Sequence, residues 1–151
     1  MMTDTISMTT RTPWHLWLVG VLSLLWNGYG GYDSVMSITQ GESYWRASGM
    51  TDAMITYYNA MPTWMYGPWI IGVWGAIAGS ILLLMRSRYA VHAFALSLLG
   101  AVGSLIYGLM NPMPELPPAM AAMAWMPWVI VAIAAFLLWY AWTMGKKGVL
   151  R

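Results

Sequence analysis

Three sets of side chains in this sequence could do chemistry: a scatter of methionines, two histidines and one asparagine set inside an apolar run. Thioethers are soft ligands that suit Cu(I), and Met50 with Met54 and Met61 with Met65 form pairs one helical turn apart. Against copper stands the ordinary use of methionine as a pliable apolar residue at adaptable packing surfaces. No cysteine occurs in the chain, and no histidine joins these segments. His15 and His92 each fall near the same end of an apolar run, one and three residues in, so together they could ligate a haem or a chlorin axially. The alternative is two interfacial histidines bonded to water, lipid phosphate or backbone, and nothing else in the sequence signals a haem. Asn27, with Tyr29, Ser104 and Tyr107, could form a small polar site for a neutral or lipid ligand; equally, its amide could serve as interhelical glue.

The elements that must position these residues follow from composition. Hydrophobic residues make up 60% of the 151 positions and charged ones only 8%, against about 25% charged in soluble domains. A membrane span needs roughly 20 apolar residues, and four stretches qualify, at about 14–32, 62–85, 89–110 and 119–142. The expected fold is an all-α membrane protein, a four-transmembrane-helix bundle with a short amphipathic helix in the first external loop. That loop helix begins at an N-cap on Thr51 or Asp52 and ends before Pro62, with Met54, Tyr57, Tyr58 and Met61 on one face. Residues 1–12 read as a flexible cytoplasmic tail, 13–145 as one membrane domain and 146–151 as a basic cytoplasmic tail. Arg11 ahead of an apolar run resembles a signal peptide, but no small-x-small pattern closes the run, so the first span is expected to be retained.

Charge sets the orientation. Arg11, Arg86, Arg88, Lys146, Lys147 and Arg151 share one side of a four-span arrangement, and only Arg46 lies on the other. The positive-inside rule then places both termini in the cytoplasm, on the inner side of a bacterial inner membrane. Basic residues split among three short segments do not suggest nucleic-acid binding. No Asp, Glu, Lys or Arg lies inside a span, and ion-coupled transport normally needs such a group. No nucleophile–base pair or phosphate loop appears, so an enzyme is not expected.

Small residues predict the packing. Gly72, Gly75, Ala76 and Gly79 in the second span, and Ala93, Ser97, Gly100, Ser104 and Gly108 in the third, recur in steps of three and four. Such stripes let backbones approach closely, and with the short Arg86-Ser87-Arg88 step between them they predict a tight hairpin. Counting inward from the span ends puts Asn27 level with Gly72 on one neighbour and near Ser104 on another. Its expected partners are Ser104, Tyr107 or backbone beside Gly72. Asp33 marks the exit of the first span, after the Gly28, Gly30 and Gly31 cluster.

The segments Pro13-Trp14-His15-Leu16-Trp17 through Trp26-Asn27-Gly28, Ala60-Met61-Pro62-x-Trp64, and Trp74-Gly75 leading to Arg86-Ser87-Arg88 resemble a group of small bacterial four-helix inner-membrane proteins. The likeness covers roughly residues 13–110 and fades in the fourth span. It implies topology and location and transfers no catalytic or binding residues. The expected role is a non-enzymatic accessory or assembly subunit that packs against other membrane proteins, or against copies of itself, within the lipid bilayer. The alternatives are a small-molecule or lipid carrier using the polar site near Asn27, and a haem, chlorin or copper binder.

Overall fold

The computed structural model describes residues 10–114 and 116–151. The expected tail therefore lies largely outside the described residues, as does Glu115. Among the described residues the chain is helical and contains no strand. Helix α1 spans Trp14–Gln40. It opens after Pro13, whose φ of −68° and missing N–H suit a helix start, and it ends at Gly41, with φ +53°. The glycine cluster does not end the helix, nor does Asp33. A helical glycine costs about 1 kcal/mol, but here close packing offsets it. A Cβ at Gly31 would sit 2.5 Å from the Ile77 side chain, and buried Ser34 donates to the Gly31 carbonyl at 2.7 Å.

Two short helices follow, α2 (Glu42–Ala47) and α3 (Asp52–Ala60). The Thr51 hydroxyl accepts the Met54 N–H at 3.4 Å, an N-cap. The inward face of α3 centres on Met54 and Ile55, both buried, with Tyr57, Tyr58 and Met61 half-buried beside it. A 3₁₀ turn at Thr63–Met65 leads into α4 (Tyr66–Leu84), and α5 covers Tyr89–Met110. Asn111–Pro117, with three prolines that cannot donate to a helix, forms no regular element where described. A single turn, α6 (Pro118–Ala121), precedes α7 (Met126–Lys146). Among the described residues three segments, Thr63–Leu84, Tyr89–Met110 and Pro118–Lys146, are long and apolar enough to cross a membrane.

Helices α4 and α5 form a close antiparallel hairpin. A Cβ at Gly72 would lie 3.3 Å from the Ala101 amide, one at Gly75 would lie 3.2 Å from the Ala93 carbonyl, and one at Gly100 would collide with the Pro68 carbonyl and the Gly72 backbone. The Ser97 hydroxyl donates to the Gly72 carbonyl at 2.6 Å. The stripe stops short of its expected end: Gly108 is exposed, and a Cβ there would meet nothing within 4 Å. Helix α1 packs antiparallel on α4, with Gly20 against Leu84 and Gly31 against Ile77. Helix α7 packs on the other partner of the hairpin, α5.

The core lies at one end of this array, the arginine end. Leu16, Leu83 and Phe94 are fully buried there, with Leu137, Ala141 and Met144 from α7. Phe94 rests on Gly79, where a Cβ would come within 2.6 Å of its ring. Residues 149–151 correct the expectation of a basic tail. Gly148, at φ +71°, turns the chain back, and Val149 and Leu150 enter the core at 4% and 3% exposure. Arg151 N–H donates to the Arg86 carbonyl at 2.7 Å, and Arg88 N–H donates to the Arg151 carbonyl at 3.0 Å. Arg86 itself has φ +57°, and its guanidinium donates to Thr12 Oγ1 at 2.7 Å.

Candidate functional site

Asn27 lies on the α1 face that meets α4. Its amide nitrogen donates to Ser80 Oγ at 3.0 Å and to the Ala76 carbonyl at 3.4 Å. Ser80, fully buried, donates in turn to Ala76 O at 2.8 Å. The amide thus ties α1 to α4 in the manner of interhelical glue. The other members of the expected patch are elsewhere. Ser104 and Tyr107 belong to α5, across α4 from α1. Ser104 Oγ is buried without a hydrogen-bond partner, and the Tyr107 ring meets Trp64 edge-on at 5.8 Å. Tyr29 is 72% exposed. The reason is register: Gly20, six residues into α1, faces Leu84, so Asn27 falls on Ser80 rather than level with Gly72.

The histidines have separate surroundings. His15 Nδ1 is hydrogen-bonded to the Tyr140 hydroxyl, joining α1 to α7 at the arginine end. His92 is exposed on α5, its ring 6.0 Å from that of Tyr89. No group of three or more His, Cys, Asp or Glu side chains able to hold a metal occurs among the described residues. Of the methionine pairs, Met54 and Met65 are each buried to 4% exposure and Met50 and Met61 half-buried. Such burial is what pliable packing side chains produce.

Polar contacts gather at the end opposite the arginines. Tyr44 donates to Asp33 at 2.8 Å, and this bond to a carboxylate pushes the Tyr44 hydroxyl up to about 12. Arg46 contacts Asp52 at 2.6 Å and Glu42 at 3.9 Å. Asn59 donates to Glu42 at 2.7 Å, and Tyr57 to the Asn111 carbonyl at 2.6 Å. Burial raises the pKa of Tyr57.

Two open grooves along the α5–α7 seam do not figure among the candidates read from sequence. One, of about 430 Å³, is lined by Leu98, Ala135, Leu138, Trp139 and Trp142. The second, of about 310 Å³, is lined by Arg88, Val91, Trp142, Gly145, Lys146 and Leu150. Trp142 belongs to both. The Lys146 ammonium sits 3.8 Å above the Trp142 ring, a cation–π contact. Among the described residues the salt bridges are those of Arg46, so Arg88 and Lys146 line the second groove without a side-chain ion pair. The signal for this pair is present in the sequence as two basic positions flanking the third and fourth apolar runs; only the antiparallel seam brings them together.

Comparison with protein-family models, with curated proteins and with solved structures finds no match.

Proposed function

We propose that the chain is a four-span protein of a bacterial inner membrane, with residues 10–12 and 146–151 on the cytoplasmic side. In this reading it is a non-enzymatic accessory or assembly subunit of a larger membrane complex. Two features support a first span beside the three apolar segments. At roughly 1.5 Å per residue, α1 reaches about 40 Å, and its contacts from Gly20 to Gly31 run along α4. The clustering of Arg11, Arg86, Arg88, Lys146 and Lys147 at one end supports the orientation.

The observation that carries the accessory role is the one-sided docking of α7. It packs on α5, meets α1 through the Tyr140–His15 contact, and leaves Trp128, Ile130 and Phe136 exposed, with exposed Trp125 just ahead of it. In lipid, apolar exposure by itself drives no association, whereas shaped, aromatic-rich surfaces offer a partner helix packing contacts. Asn27, the one embedded amide, is already engaged with Ser80, which favours a packing role over a ligand site. A carrier role draws its support from Ser104, whose buried hydroxyl has no partner.

Gentle extraction from native membranes followed by mass spectrometry tests the reading. Stoichiometric membrane-protein partners are the expected result. A chain recovered alone, with a small neutral ligand bound in proportion, would replace the accessory role with the carrier.

A further inference from the structure

We propose that the paired grooves on the α5–α7 seam bind one anionic phospholipid, its phosphate held between Arg88 and Lys146 and an acyl chain laid along Leu98, Ala135, Leu138 and Trp139. The inference rests on the membrane-spanning reading above. The two grooves lie next to each other along the seam and share Trp142 as a common wall. The seam's character changes along its length. Arg88, which caps α5, and Leu98 on that helix are ten residues apart, about 15 Å of helix. Over that distance the lining passes from two cationic side chains to aliphatic and indole surface. An amphiphile with an anionic head and an apolar tail matches that gradient.

Charge complementarity selects the head. Neither the Arg88 nor the Lys146 side chain forms an ion pair among the described residues, and Asp33, Glu42 and Asp52 all lie with the opposite end's polar contacts. The Trp142 ring beneath the Lys146 ammonium holds one of the two charges at the groove mouth. Leu150, docked through residues 149–151, forms part of the mouth's wall. The mouth lies at the arginine end, where the positive-inside bias puts the anionic cytoplasmic leaflet, and basic pockets between spans on that side bind anionic headgroups. A zwitterionic lipid has the same tail but offers these cations no net charge.

The purified chain in a neutral maltoside detergent would be titrated with phosphatidylglycerol, phosphatidylcholine or inorganic phosphate, and retained adducts counted by native mass spectrometry. Phosphatidylglycerol should be kept about tenfold or more in preference to phosphatidylcholine, in line with two basic contacts near a lipid surface. Arg88→Gln with Lys146→Gln should erase the preference, whereas Arg46→Gln, at the far end, should leave it. Ala135→Trp, which fills the apolar groove, should cut retention with both basic residues present. Inorganic phosphate should not compete at lipid-equivalent concentration; competition would overturn the acyl half of the site. Equal retention of the two lipids, or a preference that survives the double variant, would overturn the headgroup half. Unchanged helical circular dichroism certifies the fold of each variant. Alkaline carbonate washing of the source membranes separates the two levels: a chain that stays embedded yet shows no lipid preference overturns this site alone, and one that washes out overturns the membrane reading beneath it.

Discussion

The two ends of the bundle are held together by different physics. At the arginine end, Leu16, Leu83 and Phe94 are sealed from solvent, and side chains from α1, α4, α5, α7 and residues 149–150 meet in one cluster. Backbone hydrogen bonds from Arg151 to Arg86 and from Arg88 to Arg151 cross-tie it. At the other end buried Trp45, Met54, Ile55 and Met65 sit on short elements, tied by side-chain polar contacts several of whose members are exposed. Arg46 and Asp52 have side chains 55% and 84% exposed, and ion pairs of that kind add little to stability. Residues 118–125, ahead of α7, are mostly exposed, and a Cβ at Gly108 in the last turn of α5 would meet nothing within 4 Å. One end is therefore built to be rigid, and the other to be adjustable. Local opening concentrates where buried contacts are few.

The largest expected effect tests this contrast directly. Phe94→Ala should cost about 3–5 kcal/mol, while Trp125→Ala, 54% exposed, should stay within about 0.5 kcal/mol. Thermal unfolding of both variants in the same detergent measures the gap, and equal losses would mean that the two ends are not distinct. A middle-sized effect is expected where the ends join. Asn27→Leu removes the bonds to Ser80 and Ala76 and should cost about 0.6–2 kcal/mol, with helix content and partner recovery unchanged. Loss of partner recovery without loss of stability would relocate Asn27 from packing to recognition.

The smallest effect belongs to the polar end. Tyr44 donates to Asp33 only while protonated, and its folded pKa of about 12 lies above the ordinary value of 10.0. The sign follows: the contact is fully present below about pH 10 and is lost as pH rises through about 12. A tyrosinate absorbance titration of the wild type minus Tyr44→Phe should isolate this late step, with the arginine-end core still folded through it. A difference step near pH 10 would show that the Tyr44–Asp33 contact does not form.

Spacing is legible in the sequence; register between segments far apart is not. The steps of three and four through Gly72, Gly75, Ser97 and Gly100 translate directly into a close hairpin, because the four-residue link Met85–Arg88 leaves little freedom in how the two helices align. The same holds for the Thr51 cap, a strictly local device. Asn27 is different. Counting its depth from Trp14 assumes that α1 starts level with Met85, whereas Gly20 is the residue that faces Leu84. The helix begins roughly one and a half turns beyond the end of α4, and every cross-helix partner moves with it. The length of α1 escapes the sequence for a related reason: glycine propensity is a weak signal, and close packing on Ile77 overrides it. Val149 and Leu150 are hidden by their basic neighbours Lys146, Lys147 and Arg151, which dominate any reading by charge.

Arg86 gives the arginine end a mechanical property. It holds a left-handed backbone at φ +57°, a conformation that costs a side-chain-bearing residue about 1–2 kcal/mol. From there it grips Thr12 through its guanidinium and residue 151 through its carbonyl. Force applied to residues 10–12 is therefore shared at once with the α4–α5 turn and with the segment following α7. A partner that pulled there would load several helices in parallel rather than unzipping one.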